Sequence, residues 1–338
     1  MAKLSVLGKI LLALAALLLL LTLISLVPSN RGFIRMLDFV REPAIFLSAG
    51  LIVAALFFAR PRRLLVIGLL ALAIAINLFR LWPYSFLAPT QIALPDDVDG
   101  MSCMRVLSLN VLQPNDQYDR VARLIESQAP DTLLLMETDA KWIAALEPQL
   151  SAFGYRLEEP LDNKYGMAFA TNLQVDRAEM VSNTNANTPT LYATMRTDDG
   201  ARFEMIGLHP RPPLPGESTE SRDANIARAG ARTPDDLGNV LAIGDFNDVP
   251  WSRTTQRFVA EGGYLDPRIG RGTFATFPAD YAAIGWPLDQ LFVRDGVRIE
   301  SFKVLDDVGS DHRALAADVC VQPGGTQPSA PALLDTDS

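Results

Sequence analysis

The segment Val240-Leu-Ala-Ile-Gly-Asp-Phe-Asn-Asp-Val-Pro-Trp251 opens as a short apolar run, Val240–Gly244, that reads as a strand. It passes directly into Asp245-Phe246-Asn247, so a carboxylate and an amide stand where the strand stops. Gly, Asp and Asn are also ordinary turn residues, so this strand end alone is equally a plain turn.

The same arrangement recurs on both sides of it. Upstream, Arg105–Asn110 reads as a strand ending in Asn110, Asp131–Met136 as a buried strand running into Glu137, and Arg202–His209 as a strand ending in His209. Downstream, Asp289 begins the strand Leu288–Val293, and Ser310-Asp311-His312 precedes the last strand, Ala314–Val321. Further strands are expected at Met167–Thr171, Leu191–Arg196 and Arg298–Leu305, and helices at Asp119–Gln128, Ala140–Leu150, Ser221–Ala229 and Ser252–Glu261. Helices and strands alternate early and strands crowd late, which favours a layered α/β sandwich over a purely parallel sheet. Each polar strand end has a bland reading by itself: a turn, a solvated acid, a capped strand start. The two histidines of the chain, His209 and His312, both fall in this set, and function concentrates where loops leave a rigid sheet.

Composition divides the 338 residues in two. Residues 1–94 carry nine basic and two acidic residues, net +7; the rest carries 21 basic and 37 acidic, net −16, giving −9 for the chain. Ample apolar content excludes disorder for most of the chain. Two cysteines exclude a zinc-finger or disulfide-rich scaffold. An acidic body without a Lys/Arg stripe disfavours a DNA-clamping domain.

The basic head, residues 1–84, predicts three transmembrane helices, at about 10–27, 43–59 and 64–79. A cleaved signal peptide over Met1–Ser29 is the rival reading; no clear A-x-A site follows it, and two further apolar runs remain. Trp82 and Tyr84 stand where aromatic belts sit. With the N-terminus inside, Lys3, Lys9, Arg60, Arg62 and Arg63 face the cytoplasm against Arg31, Arg35, Arg41 and Arg80 outside, a small bias that places the body beyond the membrane. A linker is expected at 85–100, the body at 101–321 and a disordered Pro/Gly/Ser-rich tail at 322–338.

Taken together, Leu107-Ser-Leu-Asn110, Asp131–Glu137, Ile243-Gly-Asp-Phe-Asn247, Leu288-Asp-Gln-Leu-Phe292 and Gly309-Ser-Asp-His312 resemble the endonuclease/exonuclease/phosphatase superfamily, which includes deoxyribonuclease I, neutral sphingomyelinases and inositol polyphosphate phosphatases. The match runs in the family's order over about residues 104–321; Gly-Asp-Phe-Asn and Ser-Asp-His are its specific parts. His209-Pro-Arg-Pro-Pro213, Asp248-Val-Pro-Trp251 and the three-span head are similar to membrane-anchored bacterial members.

The resemblance implies a four-layered α/β sandwich, two packed mixed β-sheets flanked by helices, preceded here by three transmembrane α-helices. It implies hydrolysis of a phosphodiester or phosphomonoester by in-line attack of water with Mg²⁺, or Mn²⁺, as cofactor. Glu137 is then the principal metal ligand, with Asn110 beside it and Asp311 joining. Asp245 activates the water, Asn247 holds a phosphate oxygen, and His312, oriented by Asp289, stabilises phosphoryl charge. His209 would donate to the phosphate or leaving group, although no acid that orients it is evident. Arg222 and Asn225 are candidates for the substrate pocket. The alternative is a degenerate member that binds a phosphorylated ligand without catalysis. The implied partners are the lipid bilayer and a phosphoester substrate, whether small molecule, lipid headgroup or nucleic acid; no protein partner is evident. The implied site is the inner membrane, multi-pass, with the catalytic body in the periplasm. In the resembled fold the first and last strands are antiparallel neighbours, and 110 plus 312 nearly equals 103 plus 320. That register brings Cys103 to Cys320 and predicts a disulfide, which persists in an oxidising compartment. Two reduced buried thiols are the alternative.

Overall fold

The computed structural model describes residues 5–185, 187–234, 236–281 and 285–322. The expected tail falls almost wholly outside the described residues. Three long helices lead: α1 (Val6–Ser25), α3 (Arg41–Phe58) and α4 (Arg63–Leu81), with the short α2 (Gly32–Met36) between the first two. The three long helices are long and apolar enough to cross a membrane. They pack together through Leu11, Ala15, Ala55, Ala59, Val66 and Leu70. Leucines, valines and phenylalanines such as Leu20, Phe46, Val53, Phe57 and Leu64 remain exposed on their outer faces, a surface suited to lipid rather than water. The first helix starts at Val6, earlier than hydropathy places it, because Ser5 caps it through the Gly8 N–H and Lys9 is carried within the helix.

The body holds two sheets. One has the order β10-β11-β1-β2-β4-β3, from β1 (Ser102–Asn110), β2 (Thr132–Met136), β3 (Tyr155–Glu159), β4 (Met167–Thr171), β10 (Val297–Val304) and β11 (Leu315–Val321). The other runs β5-β6-β7-β8-β9, from β5 (Gln174–Ser182), β6 (Pro189–Arg196), β7 (Arg202–Leu208), β8 (Val240–Asp245) and β9 (Asp289–Val293). Both are mixed: β1 is parallel to β2 and β7 to β8, and the remaining pairs are antiparallel.

Side-chain alternation along each strand builds the layers. In β8, Leu241 and Ile243 enter the core between the sheets with Leu134, Met136, Met205 and Leu291. Val240 and Ala242 point the other way, to Ile226, Phe258 and Phe292 beneath α8 (Glu220–Ala231) and α9 (Arg253–Gly262). On the opposite outer face Leu107, Leu109, Leu133 and Leu135 pack on Val121, Ile125, Trp142 and Leu150 from α5 (Tyr118–Gln128), α6 (Ala140–Ala145) and α7 (Glu147–Leu150). Strands covered on both faces read as continuous apolar runs, and each such Leu, Ile or Phe contributes about 1.5–3 kcal/mol by its burial. This is the four-layered sandwich that the resemblance implied.

The differences from expectation have local causes. Ala140–Leu150 is two helices rather than one, since Pro148 has no N–H to donate and begins a new helix at α7. Strands β3 and β5 were not expected: they are edge strands, half exposed and rich in polar residues. Residues 85–100 form no regular element beyond a few turns, but they are no loose tether. Ile92 is buried in the inter-sheet core, the Gln91 side chain accepts from the Asp266 N–H, and Asp96 pairs with Arg298.

Strands β1 and β11 pair with Cys103 opposite Cys320, and the two sulfurs are bonded in a disulfide spanning 217 residues of chain. At the other end of β8, Gly244 sits at φ 138°, and a Cβ there would stand 2.2 Å from the Leu208 carbonyl oxygen. Glycine thus lets β8 run against β7 up to Gly244, the residue before Asp245.

Candidate active site

Asn110, Glu137, His209 and Asp245 arrive at one place because β1, β2, β7 and β8 finish at the same end of the two sheets. Two residues there take left-handed backbone: Glu137 at φ 61° and Asn247 at φ 48°. For a glutamate this costs about 1–2 kcal/mol. Such a conformation persists only where surrounding contacts hold it. Here the Glu137 carboxylate accepts from Asn110 Nδ2 and from the Gln113 N–H, each at 3.1 Å.

Asp245 is the hub. Its Oδ2 accepts from Asn110 Nδ2 at 3.1 Å and lies 3.7 Å from His209 Nε2 and 3.6 Å from His312 Nε2. Its Oδ1 accepts from the Asn247 N–H at 2.8 Å. His312 Nδ1 meets Asp289 Oδ2 at 2.7 Å, and the Ser310 hydroxyl ties the preceding turn to the Asn110 carbonyl at 2.6 Å. Burial opposes protonation of His312, but Asp289 and Asp245 outweigh it and push the pKa up to about 10. The ring is therefore an imidazolium, set between two carboxylates. Asp245, Asp289 and His312 bring ligand atoms within 4.8 Å of one another. Since His312 Nδ1 is already engaged by Asp289, the trio is better suited to hold a proton than a metal.

Glu137 and Asp311 answer differently. Burial raises the pKa of Glu137 against its two hydrogen bonds, and the charge of Asp245 raises it further. Burial also raises Asp311, with Glu137 and Asp245 adding like-charge repulsion against the pull of His312. Asp311 Oδ1 is buried with no hydrogen-bond partner. An orphaned carboxylate oxygen in a residue that shares a cavity with Glu137 and Asp245 fits a hard divalent cation held by oxygen ligands. Asn110 is arranged otherwise than as a ligand: its Oδ1 accepts from the Leu112 N–H at 3.0 Å, and its Nδ2 faces the carboxylates. The amide orients Glu137 and Asp245, and ligation through its oxygen requires rotating it. Asn247 likewise spends its Nδ2 on the Pro210 carbonyl, at 3.0 Å.

These groups line a cavity of about 480 Å³ containing Glu137, His209, Asp245, Asn247, Asp311 and His312. Arg222 and Asn225 do not line it, which corrects their expected place in the substrate pocket. Both are buried in α8: Arg222 pairs with Asp223 and stands 3.5 Å from Asp248, and Asn225 is bonded to Thr188 and Thr190. Residues that sequence reasoning missed complete the cavity. Lys164 and Tyr165 come from the turn between β3 and β4; Phe277, Trp286 and Leu288 precede β9; Met36, at the end of α2, and Phe39 and Val40, just after it, come from the segment between α1 and α3. The tyrosine packs against His209 with ring centroids 5.1 Å apart. Only a polar turn, Asp162-Asn-Lys-Tyr-Gly166, marked the first pair in the sequence.

A sequence model described as the Endonuclease/Exonuclease/phosphatase family matches residues 107–312. The chain belongs to that family, whose members are typically metal-dependent phosphodiesterases, nucleases and phosphatases. Among solved structures it is similar to a humanized D. rerio TDP2, at TM-score 0.53 and 15% identity, covering 64% of this chain and 98% of that one. It is similar also to the catalytic domain of human Nocturnin, at 0.53 and 16%, covering 71% and 99%. An endonuclease/exonuclease/phosphatase from Beutenbergia cavernae gives 0.53 and 18%, covering 68% and 73%. At these identities the likeness is one of fold. No curated protein matches by sequence.

His209 makes the site's environment measurable. Burial dominates its titration, Asp245 opposes and His312 adds to the effect, so the pKa falls to about 4. The unfolded chain takes up that proton near pH 6.5. Between about 6.5 and 4 the unfolded state binds more protons, so the stability carried by the neutral ring is full above that window and is lost as pH falls through it. By pH 5 the loss is on the order of 2 kcal/mol. The Tm of the wild type should therefore drop further between pH 7 and pH 5 than that of His209→Gln; equal drops would contradict a neutral buried imidazole.

Proposed function

We propose that this protein is a divalent-metal-dependent phosphoesterase that hydrolyses a phosphodiester or phosphomonoester by attack of water in line with the departing oxygen. The observation that carries this is one cavity lined by Glu137 and Asp311, two acids suited to a metal, and by Asp245 and His312, the latter backed by Asp289. Glu137 and Asp311 would hold Mg²⁺, or Mn²⁺, since the donors are hard oxygens and lack thiolate. When bound, the cation supplies Lewis-acid neutralisation of phosphate charge.

This chain's own residues do the rest. Asp245, fixed by the Asn247 N–H and by Asn110, orients the water and takes its proton. The His312 imidazolium faces the phosphoryl oxygens and offsets the charge that grows on them, the usual source of transition-state stabilisation in such sites. Asp289 keeps that ring protonated and aimed. His209 is neutral, so its part is that of a hydrogen-bond donor and not of an acid. Asp245 is the nearest carboxylate to it, the partner that the sequence did not reveal.

The body would sit in the periplasm. Residues 26–40 and the start of the body lie at one end of the three helices, and the Ser5 hydroxyl meets the Phe58 carbonyl at the other. The charge bias of the loops favours the N-terminus inside. The Cys103–Cys320 bond supports an oxidising compartment for the body.

Three outcomes are expected. Glu137→Gln, Asp245→Asn and His312→Ala should each lower turnover by at least about 100-fold while the protein still folds; near-normal turnover in two of them would remove this site assignment. Exhaustive chelation should abolish activity and Mg²⁺ or Mn²⁺ restore it; full activity after chelation would overturn the metal requirement. In intact cells, Cys103 and Cys320 should resist alkylation after denaturation until a reductant is added. Complete labelling without reductant would remove the main support for a periplasmic body.

A further inference from the structure

One wall of the cavity comes from the membrane anchor itself. Met36, Phe39 and Val40 lie between α1 and α3, ending one residue before α3 begins at Arg41. At a rise of about 1.5 Å per helical residue, this wall stands within a few ångströms of residue 43, where the apolar run expected to span the membrane begins. Trp82, Phe86 and Leu87, just past the end of α4, are 51%, 81% and 80% exposed. Aromatic and apolar side chains in that position mark the interfacial layer.

The wall is held firmly. The Gly32 N–H donates to the Glu217 carbonyl at 2.8 Å, and the Thr219 N–H to the Asn30 carbonyl at 2.7 Å. A Cβ at residue 32 would stand 2.0 Å from the Leu214 carbonyl oxygen, so α2 lies flush against the body's Pro-rich loop. Trp251 and Trp286 donate their indole N–H groups to the carbonyls of Asp38 and Phe39, at 2.8 and 2.5 Å.

The cavity is thus two-sided. Carboxylates and imidazoles line one part of it, while Met36, Phe39, Val40, Phe277, Trp286 and Leu288 give it an apolar wall, part of which comes from the segment between the apolar helices α1 and α3. Met36 and Val40 remain 37% and 44% exposed, apolar surface that the chain itself leaves uncovered. A soluble, wholly polar phosphoester would gain nothing from such a wall. A long polyanion would meet a body, residues 101–321, of net charge −11.

We infer that the substrate is a lipid phosphoester taken from the bilayer, its phosphate against Glu137, Asp245 and His312 and its first chain carbons along Met36, Phe39 and Val40. This rests on the phosphoesterase reading above and narrows its substrate class. Each methylene moved from water onto the wall should improve kcat/KM by roughly fourfold until the wall is filled.

The test uses the full-length protein in detergent micelles with Mg²⁺ and a series of p-nitrophenyl alkyl phosphodiesters bearing ethyl, hexyl and dodecyl chains, read by nitrophenolate release. Plasmid DNA and p-nitrophenyl phosphate are run beside it. The expected result is a kcat/KM that rises at least tenfold from ethyl to dodecyl. Met36→Ser and Val40→Ser, both at partly exposed positions, should flatten that rise severalfold while retaining the wild-type Tm. Hydrolysis of the ethyl diester, the monoester or DNA with no gain from the longer chains would overturn the lipid inference and leave the phosphoesterase reading standing. So would a chain-length gain that both variants leave untouched. No hydrolysis of any substrate at any metal concentration would sink both.

Discussion

Like charge packed at one spot is the constraint around which this molecule is built. Glu137, Asp245 and Asp311 converge on a single cavity with His312 and the neutral His209, and Asp289 backs His312 from outside it. Carboxylates taken out of water cost several kcal/mol each unless paired. The fold meets that cost in two ways. The Asn110 amide and the N–H groups of Gln113 and Asn247 are aimed at the carboxylates. His312 keeps its proton. Two of the acids, Glu137 and Asp311, have their charge opposed by burial and by their acidic neighbours, the condition a bound cation would relieve. Nothing softer than a two-sheet core holds these groups still. The side chains hang from strand ends, and the strands are locked by Leu, Ile, Met and Phe on both faces.

How much of this is legible in the sequence follows from what each residue depends on. Buried strands were legible because a strand covered on both faces has to be apolar throughout, as in Leu133–Met136 and Val240–Ile243. Their polar terminal residues were legible for the same reason: a charge immediately after such a run has one obvious place to be. Edge strands β3 and β5 were not, since half their side chains meet water and their composition is that of a loop. The Cys103–Cys320 pairing followed from a register that family resemblance supplied. The fate of Arg222 and Asn225 was hidden. Their partners Asp248, Thr188 and Thr190 lie 26 to 37 positions away along the chain, and nothing local distinguishes a buried arginine from an exposed one.

The apolar wall was invisible for a stronger reason. Hydropathy assigns residues 1–84 to an anchor, and an anchor is read as a tether. In the folded chain, loop 26–40 instead closes against the body through backbone and indole hydrogen bonds. The site therefore spans what looks in sequence like a boundary between two units.

What keeps that loop in one position is a second group of buried charges. Asp38 accepts from Arg41 at 2.6 Å and from Arg35 at 3.2 Å; Arg41 reaches on to Asn77 in α4, and Asn77 to Thr22 in α1. Arg35 also caps the carbonyls of Ser25 and Val27. A buried ion pair adds little net stability compared with apolar residues of the same shape, but separating one costs about 3–5 kcal/mol because a charge is then stranded. The network's effect is consequently positional. All three long helices contribute to it, and the loop cannot shift without stranding Asp38. Since the Asp38 carbonyl is also what Trp251 grips, the same residue registers the three apolar helices against the body. The apolar wall and the acidic groups are held in place relative to one another by charges that do not themselves line the cavity.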